Sequence, residues 1–276
     1  MDGTTIVMEH ARDPAESGTV AAAAPVARPV AAWLAGRIGF DDYSSIAERL
    51  AWEVSEPGGR CPTLLVCELE PAITIGRLGS RTDVLLGDDE LRARRLSVRF
   101  TGRGGGAVPH ARGQVFVALF ATLADLGLAP WAAGGLEDRF SAGVAAALAQ
   151  VRCGPLRVPG TPGVFGRTGL LAAVGIAVRR GVACHGAFVN VSPAPDLLPF
   201  VTAVPAACRG AAVPATTMGS IEADLQRHVR PQDVRTALVH GLADAFRFPR
   251  TLVHSGLPVQ VPAAVRRPEE ATSRAG

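Results

Sequence analysis

Two short segments concentrate the residue types that could handle a ligand. One reads Arg103-Gly104-Gly105-Gly106-Ala-Val108-Pro-His110-Ala-Arg-Gly113-Gln114, the other Gly181-Val-Ala-Cys184-His185-Gly186-Ala187-Phe188-Val-Asn190. Each sets glycines beside a histidine and beside an apolar, strand-like run. A Cβ at such places would hold a bound molecule away from the backbone. The pair therefore predicts two backbone segments that come close to one ligand. An absence is equally informative: the chain contains no lysine.

Composition narrows the classes. A chain of 276 residues can bury a full core, as one large domain or two modest ones. All 28 basic residues are arginine in an Ala-, Gly- and Pro-rich background, a pattern of codon bias in which single arginines carry little meaning. Net charge is only +3, and no basic run is long enough to suggest a nucleic-acid site. Five cysteines, an odd number without CxxC-type spacing, argue against a disulfide framework and against a zinc site. The sequence shows no basic-then-apolar leader and no apolar run of membrane-spanning length, which predicts a cytoplasmic protein that does not enter a membrane.

The elements that must position the two segments follow from periodicity and punctuation. Residues 1–28 and 262–276 lack a period and read as flexible tails around one domain, 29–261. Tyr43, Ile46, Leu50 and either Trp52 or Val54 recur at helical spacing and predict a helix over 41–54, with Asp41 and Asp42 as caps. Thr63–Glu68 and Ala72–Ile75 are β-rich runs, and a short helix is expected near Asp88–Arg95. Leu96–Thr101 alternates as a half-buried strand does and leads into the first glycine segment. Strands are predicted at 114–120, 164–165, 170–180 and 182–191, and helices at 136–151, 220–229 and 231–247. Pro231 suits the first turn of the last helix. Helices and strands mix without strict βαβ alternation, so the expected class is α+β with a central mixed or antiparallel sheet.

The order of motifs is specific. Glu68-Leu-Glu-Pro71-Ala-Ile-Thr74-Ile-Gly76-Arg77 is followed by the Arg103–Gln114 segment. Then come Gly163-Val-Phe, Ala172-Ala173-Val174-Gly175-Ile176 and His185-Gly186 with Asn190. This series, spanning about residues 40–220, resembles the lipoyl(octanoyl) transferase family, which belongs with the lipoate and biotin protein ligases. The resemblance implies a biotin/lipoate protein ligase-like fold. It implies an enzyme that moves an octanoyl group from acyl carrier protein to a lysine of lipoyl domains. Those domains belong to 2-oxoacid dehydrogenases or the glycine cleavage H protein. The implied route is a thioester on an active-site cysteine, whose pKa a nearby lysine lowers, with no metal and no nucleotide cofactor. The implied acyl pocket is lined by Arg103, Gly104, Gly105, Gly106, Val108 and His110, by Ala173, Val174 and Gly175, and by Gly186, Ala187 and Phe188.

The chain departs from that pattern where the chemistry is done. The family's lysine precedes the Ala-x-Gly-Ile strand, and the matching residue is Leu170. The family's nucleophile follows a proline directly. Here Pro205 is followed by Ala206-Ala207-Cys208, so aligning on Pro205 gives Ala206 and aligning on Thr216-Thr217-Met218 gives Cys208. The second alignment is the better, with His185 or His110 as the base of a Cys–His pair. An isolated thiol titrates near 8.5 and is only a few per cent thiolate at neutral pH. A neighbouring cation shifts that by one or more units, and Leu170 supplies none. Arg209 is adjacent in sequence but points away in an extended segment.

Three readings stay open at this level. One is an octanoyltransferase-like enzyme working through Cys208 and His185. Another is a non-catalytic relative that binds an acyl chain, acyl carrier protein or a lipoyl domain. The third is an ATP-dependent lipoate or biotin ligase, which the missing lysine disfavours.

Overall fold

A computed structural model of the chain describes residues 6–9, 28–129, 133–210 and 212–259. Strand β1, Ile6–Glu9, lies inside the stretch expected to be a tail and pairs antiparallel with the last strand, so that segment is not wholly irregular. The rest of that stretch up to residue 27, and the expected tail 262–276, lie outside the described residues. Strand β2, Val30–Ile38, was hidden in the sequence by its alanines and is buried along most of its length.

Helix α1, Phe40–Ser55, buries Tyr43, Ile46, Ala47, Leu50 and Val54; of the two candidates for the end of the stripe, Val54 is inside and Trp52 is exposed. Its N-cap is Gly39 rather than an aspartate. Asp41 and Asp42 sit inside the first turn, where negative charge favours the positive end of the helix dipole. Strands β3 (Thr63–Leu69) and β4 (Ala72–Ile75) and helix α2 (Asp88–Ala93) follow as expected, with Gly87 as the N-cap of α2. β5 (Val98–Phe100) and β6 (Ala107–His110) flank the first glycine segment. β7 (Gln114–Thr122), helix α3 (Ala133–Gln150), β8 (Gly163–Phe165), β9 (Leu170–Arg179) and β10 (Val182–Asn190) complete the middle of the chain. Helix α4 is short, Ile221–Leu225, because Gln226 turns left-handed (φ 50°). α5 (Pro231–Ala245) and β11 (Arg250–Ser255) close the order.

Eight strands form one mixed sheet in the order β1-β11-β2-β3-β7-β10-β9-β8, and β5-β4-β6 form a small second sheet. β11, β2 and β3 run parallel, whereas β3-β7-β10-β9-β8 are antiparallel. Period-two alternation sends successive side chains to opposite faces. Val115, Val117, Val174, Ala187 and Val189 meet Phe140, Leu238 and Leu242 of α3 and α5 in one core. Phe116, Ala118, Ala173 and Phe188 meet Tyr43, Ile46 and Leu50 of α1, with Val108 and Leu170, in another. The architecture is the expected α+β. No helix among the described residues is long and apolar enough to cross a membrane.

Candidate active site

The two glycine segments do come together. Gly105 has φ +72°, and a Cβ there would lie 2.7 Å from the Val174 carbonyl oxygen. A Cβ on Gly104 would lie 2.5 Å from that of Ile176, to which the Gly104 N–H donates at 3.1 Å. The Arg103 loop is thereby laid across β9, and β9 pairs with β10 so that His185 faces Ile176 and Gly186 faces Gly175. Gly106 backs onto the Ala203 carbonyl, which brings in the chain leading to Cys208. Gly186, in contrast, is required by packing on the far side: a Cβ would sit 2.0 Å from the Val117 carbonyl and 3.0 Å from the Phe140 ring.

Inside this junction lies a buried polar chain. Arg103, 2% exposed, donates from Nη2 to the Thr74 carbonyl and hydroxyl oxygens, both at 2.9 Å, and from Nη1 to the Gly104 carbonyl at 2.9 Å. Its guanidinium carbon stands 5.1 Å from the Phe188 ring centroid, a cation–π contact. Burial without a carboxylate partner brings its pKa down to about 9. The Thr74 hydroxyl is 2.8 Å from His110 Nε2, and His110 Nδ1 is 3.1 Å from Gln114 Oε1. Gln114 Nε2 donates to Asn190 Oδ1 and the Pro109 carbonyl, and Asn190 Nδ2 donates to the Gly219 carbonyl.

That order fixes the protons. Gln114 uses its nitrogen for two oxygens, so its own oxygen must accept from His110 Nδ1–H. Nε2 is then the acceptor for the Thr74 hydroxyl, whose lone pairs receive Arg103. Burial, with Arg103 nearby, drops the His110 pKa to about 3, although the Gln114 hydrogen bond opposes this; the ring is neutral. His110 has no nitrogen to spare for proton abstraction. It positions Thr74 and Arg103. Thr74, Gln114 and Asn190 form this network; in the sequence they stood inside the matched motifs without a role of their own. The signal was a polar residue at one end of each of two apolar strands, Gln114 opening β7 and Asn190 closing β10, paired opposite each other.

The apolar wall is narrower than expected. Phe188 stacks on Phe116 at 4.6 Å, Tyr43 meets Phe116 edge-on at 4.9 Å, and Val108 and Ala173 share this face. Val174 and Ala187 point to the opposite, α3–α5 face, because strand alternation turns them away from Ala173 and Phe188. They contribute backbone to the junction and no side-chain wall.

His185 is also displaced from its expected role. Its φ of +66° is a left-handed conformation unusual for a residue with a Cβ, and β10 leaves β7 at Cys184 and His185 while holding to β9. The ring turns toward α1, where Nδ1 lies 2.9 Å from the Tyr43 hydroxyl. Burial and then Arg179, Arg103 and Arg77 lower its pKa to about 4. It lines a cleft of about 220 Å³ with Phe40, Phe100, Thr101 and Arg179. Among the described residues no contact or charge interaction joins it to Cys208, so it is not placed as that thiol's base.

Cys208 ends a 3-10 turn, Ala206–Cys208, and packs partly buried against the α1-side core, while Ala206 is exposed. Thr161 donates its hydroxyl to the Cys208 carbonyl at 3.4 Å. Partial burial, then the Glu137 carboxylate, push the thiol above its ordinary pKa. Arg209 cannot compensate: it is tied to Asp83 at 2.5 Å and to the Val204 carbonyl. Leu170, 1% exposed, starts β9 in an apolar setting with Met218, Phe165 and Ala203. Cys184 is buried filler, with its sulfur 3.5 Å from the Ala177 carbonyl.

Comparison with known proteins agrees with this architecture. Residues 45–243 match the model of the lipoyl protein ligase A/B catalytic domain. An octanoyltransferase of Geotalea uraniireducens (strain Rf4) is 34% identical over 214 residues, covering 76% of this chain and 92% of that protein. An octanoyltransferase of Roseiflexus sp. (strain RS-1) is 32% identical over 246 residues, 83% of this chain and 94% of that one. A lipoate-protein ligase A bound with ATP superposes with TM-score 0.60 at 16% identity, over 85% of this chain and 90% of its own. A bi-partite lipoate protein ligase from Thermoplasma acidophilum gives TM-score 0.60 at 16% identity over 79% and 84%. With the family match spanning most of the length and the expected sheet in place, the chain belongs to the lipoyl protein ligase A/B catalytic domain family.

Proposed function

We propose that this protein is an octanoyltransferase of protein lipoylation. Cys208 accepts a medium-chain acyl group from acyl carrier protein as a thioester and passes it to a lysine of a lipoyl domain. The acyl chain lies along Phe188, Val108 and Ala173, beneath the Arg103 loop. The likeness to octanoyltransferases along most of their length carries this reading. The place of Cys208 beside the Gly106-backed segment supports it. No metal or nucleotide enters the scheme, and the site of action is the cytoplasm. Incubation with octanoyl-acyl carrier protein should add an octanoyl mass to Cys208, and Cys208→Ala should abolish it. An unmodified Cys208, under conditions that load a known octanoyltransferase, would overturn the reading.

A second reading has its own observation. Leu170, at the position of the family's lysine, is buried and uncharged, and the charge that shifts the Cys208 thiol, that of Glu137, is negative. That setting favours a non-catalytic relative that holds an acyl chain, acyl carrier protein or a lipoyl domain. Rescue of a lipoylation-deficient strain by this chain, dependent on Cys208, would exclude it.

A further inference from the structure

A groove of about 760 Å³ opens between the first turns of α3 and the 157–161 turn, with Glu137, Asp138, Arg157 and Thr161 among its lining residues. It is separate from the Arg103–His110 junction. Thr161 on its wall holds the Cys208 carbonyl, which sets the Cys208 turn on its rim. Two carboxylates face this space. Asp138 is engaged by Arg157 at 3.0 Å. Glu137, half-buried, has no ion-pair or hydrogen-bond partner among the described residues, and it is the charged group that acts on the Cys208 thiol.

Resting on the octanoyltransferase reading, we propose that this groove admits the side chain of the acyl-accepting lysine. Glu137 takes the proton from its ammonium group before the amine attacks the Cys208 thioester. The occupant follows from charge and reach: an unpaired carboxylate beside a thiol suits a cationic side chain whose nitrogen must lose a proton to react. The balance is complete. The ammonium gives one proton to the carboxylate, and the amine nitrogen bonds the thioester carbon as the C–S bond breaks. The second nitrogen proton passes to sulfur, leaving an amide and the free thiol. Protonated Glu137 then releases its proton to solvent. Burial and neighbouring Asp138 raise the Glu137 pKa, bringing it closer to that of a useful proton acceptor at neutral pH. The site does without a lysine because its base is a carboxylate on another element.

The test uses the full chain with Cys208 loaded by thioester exchange from octanoyl-N-acetylcysteamine, so that it does not depend on carrier-protein recognition. Deacylation is followed with a lysine-bearing lipoyl domain and with hydroxylamine, which is neutral at pH 7 and needs no proton removed. Glu137→Gln should slow transfer to the lipoyl-domain lysine by about a hundredfold relative to hydroxylamine. Its lysine rate should climb with pH as the free amine accumulates, and Glu137→Asp should restore part of the rate. Equal rates for both acceptors in Glu137→Gln, or a loss of both acceptors in Glu137→Gln and Glu137→Asp alike, would overturn the inference. A wild-type protein that transfers from the chemically loaded state but never loads from acyl carrier protein would instead refute the proposed acyl donor.

Discussion

Thr74→Val is the sharpest probe of the buried network. Valine has the shape of threonine, so the core stays filled while one oxygen is lost. That oxygen receives Arg103 Nη2 at 2.9 Å and Nε at 3.3 Å, and donates to His110 Nε2 at 2.8 Å. Thr74, Arg103 and His110 are 0%, 2% and 0% exposed, so water cannot replace it. The substitution leaves Arg103 Nε–H and His110 Nε2 unpaired at about 1–3 kcal/mol each, or roughly 2–6 kcal/mol together. For a domain of this size that corresponds to a Tm lower by about 4–24 °C. Thr74→Ser keeps the oxygen and loses one methyl, about 1 kcal/mol. Urea denaturation followed by circular dichroism, with calorimetry alongside, measures both. Were Thr74→Val within about 0.5 kcal/mol of wild type, or no worse than Thr74→Ser, the hydroxyl would not be the hub described.

Other consequences are equally direct. His110 and His185 titrate in the fold at about 3 and about 4, below the ordinary 6.5, so the unfolded chain binds more protons through this range. Their contribution is complete above pH 6.5 and is lost as pH falls toward 3, at about 1.4 kcal/mol per pH unit for each ring; the urea midpoint should follow, and His110→Gln should flatten the slope. Leu170→Lys puts an ammonium into the apolar cluster, so iodoacetamide alkylation of Cys208 should reach half its maximal rate at least one pH unit lower, in a less stable protein. An unchanged alkylation profile would show that residue 170 does not face the thiol. Gly186→Ala meets the Val117 carbonyl, which cannot move without breaking the β7–β10 ladder, and should fail to give soluble protein, whereas Gly154→Ala, with open space around it, should leave the Tm unchanged.

The sequence by itself determined the elements whose signal is local. Helical spacing gave α1, alternation and β-branched runs gave β3, β7, β9 and β10, and Pro231 marked the start of α5. It also determined that this stretch of chain offers no lysine of its own for catalysis, and it singled out the two glycine segments as neighbours of one ligand; that their glycines clear the carbonyls of paired strands came only from the structure. β2 was not legible, because its alanines carry little strand preference and only pairing between β11 and β3 makes it a strand. Tertiary structure decided which face each residue serves: one strand's alternation puts Ala173 on the α1 side with Phe188 and Val174 in the core with α3 and α5. It also turned His185 to Tyr43, closed His110 into a hydrogen-bonded chain and brought the Glu137 charge within electrostatic reach of Cys208. Such contacts join residues far apart in the chain, and no local pattern records which of them will meet.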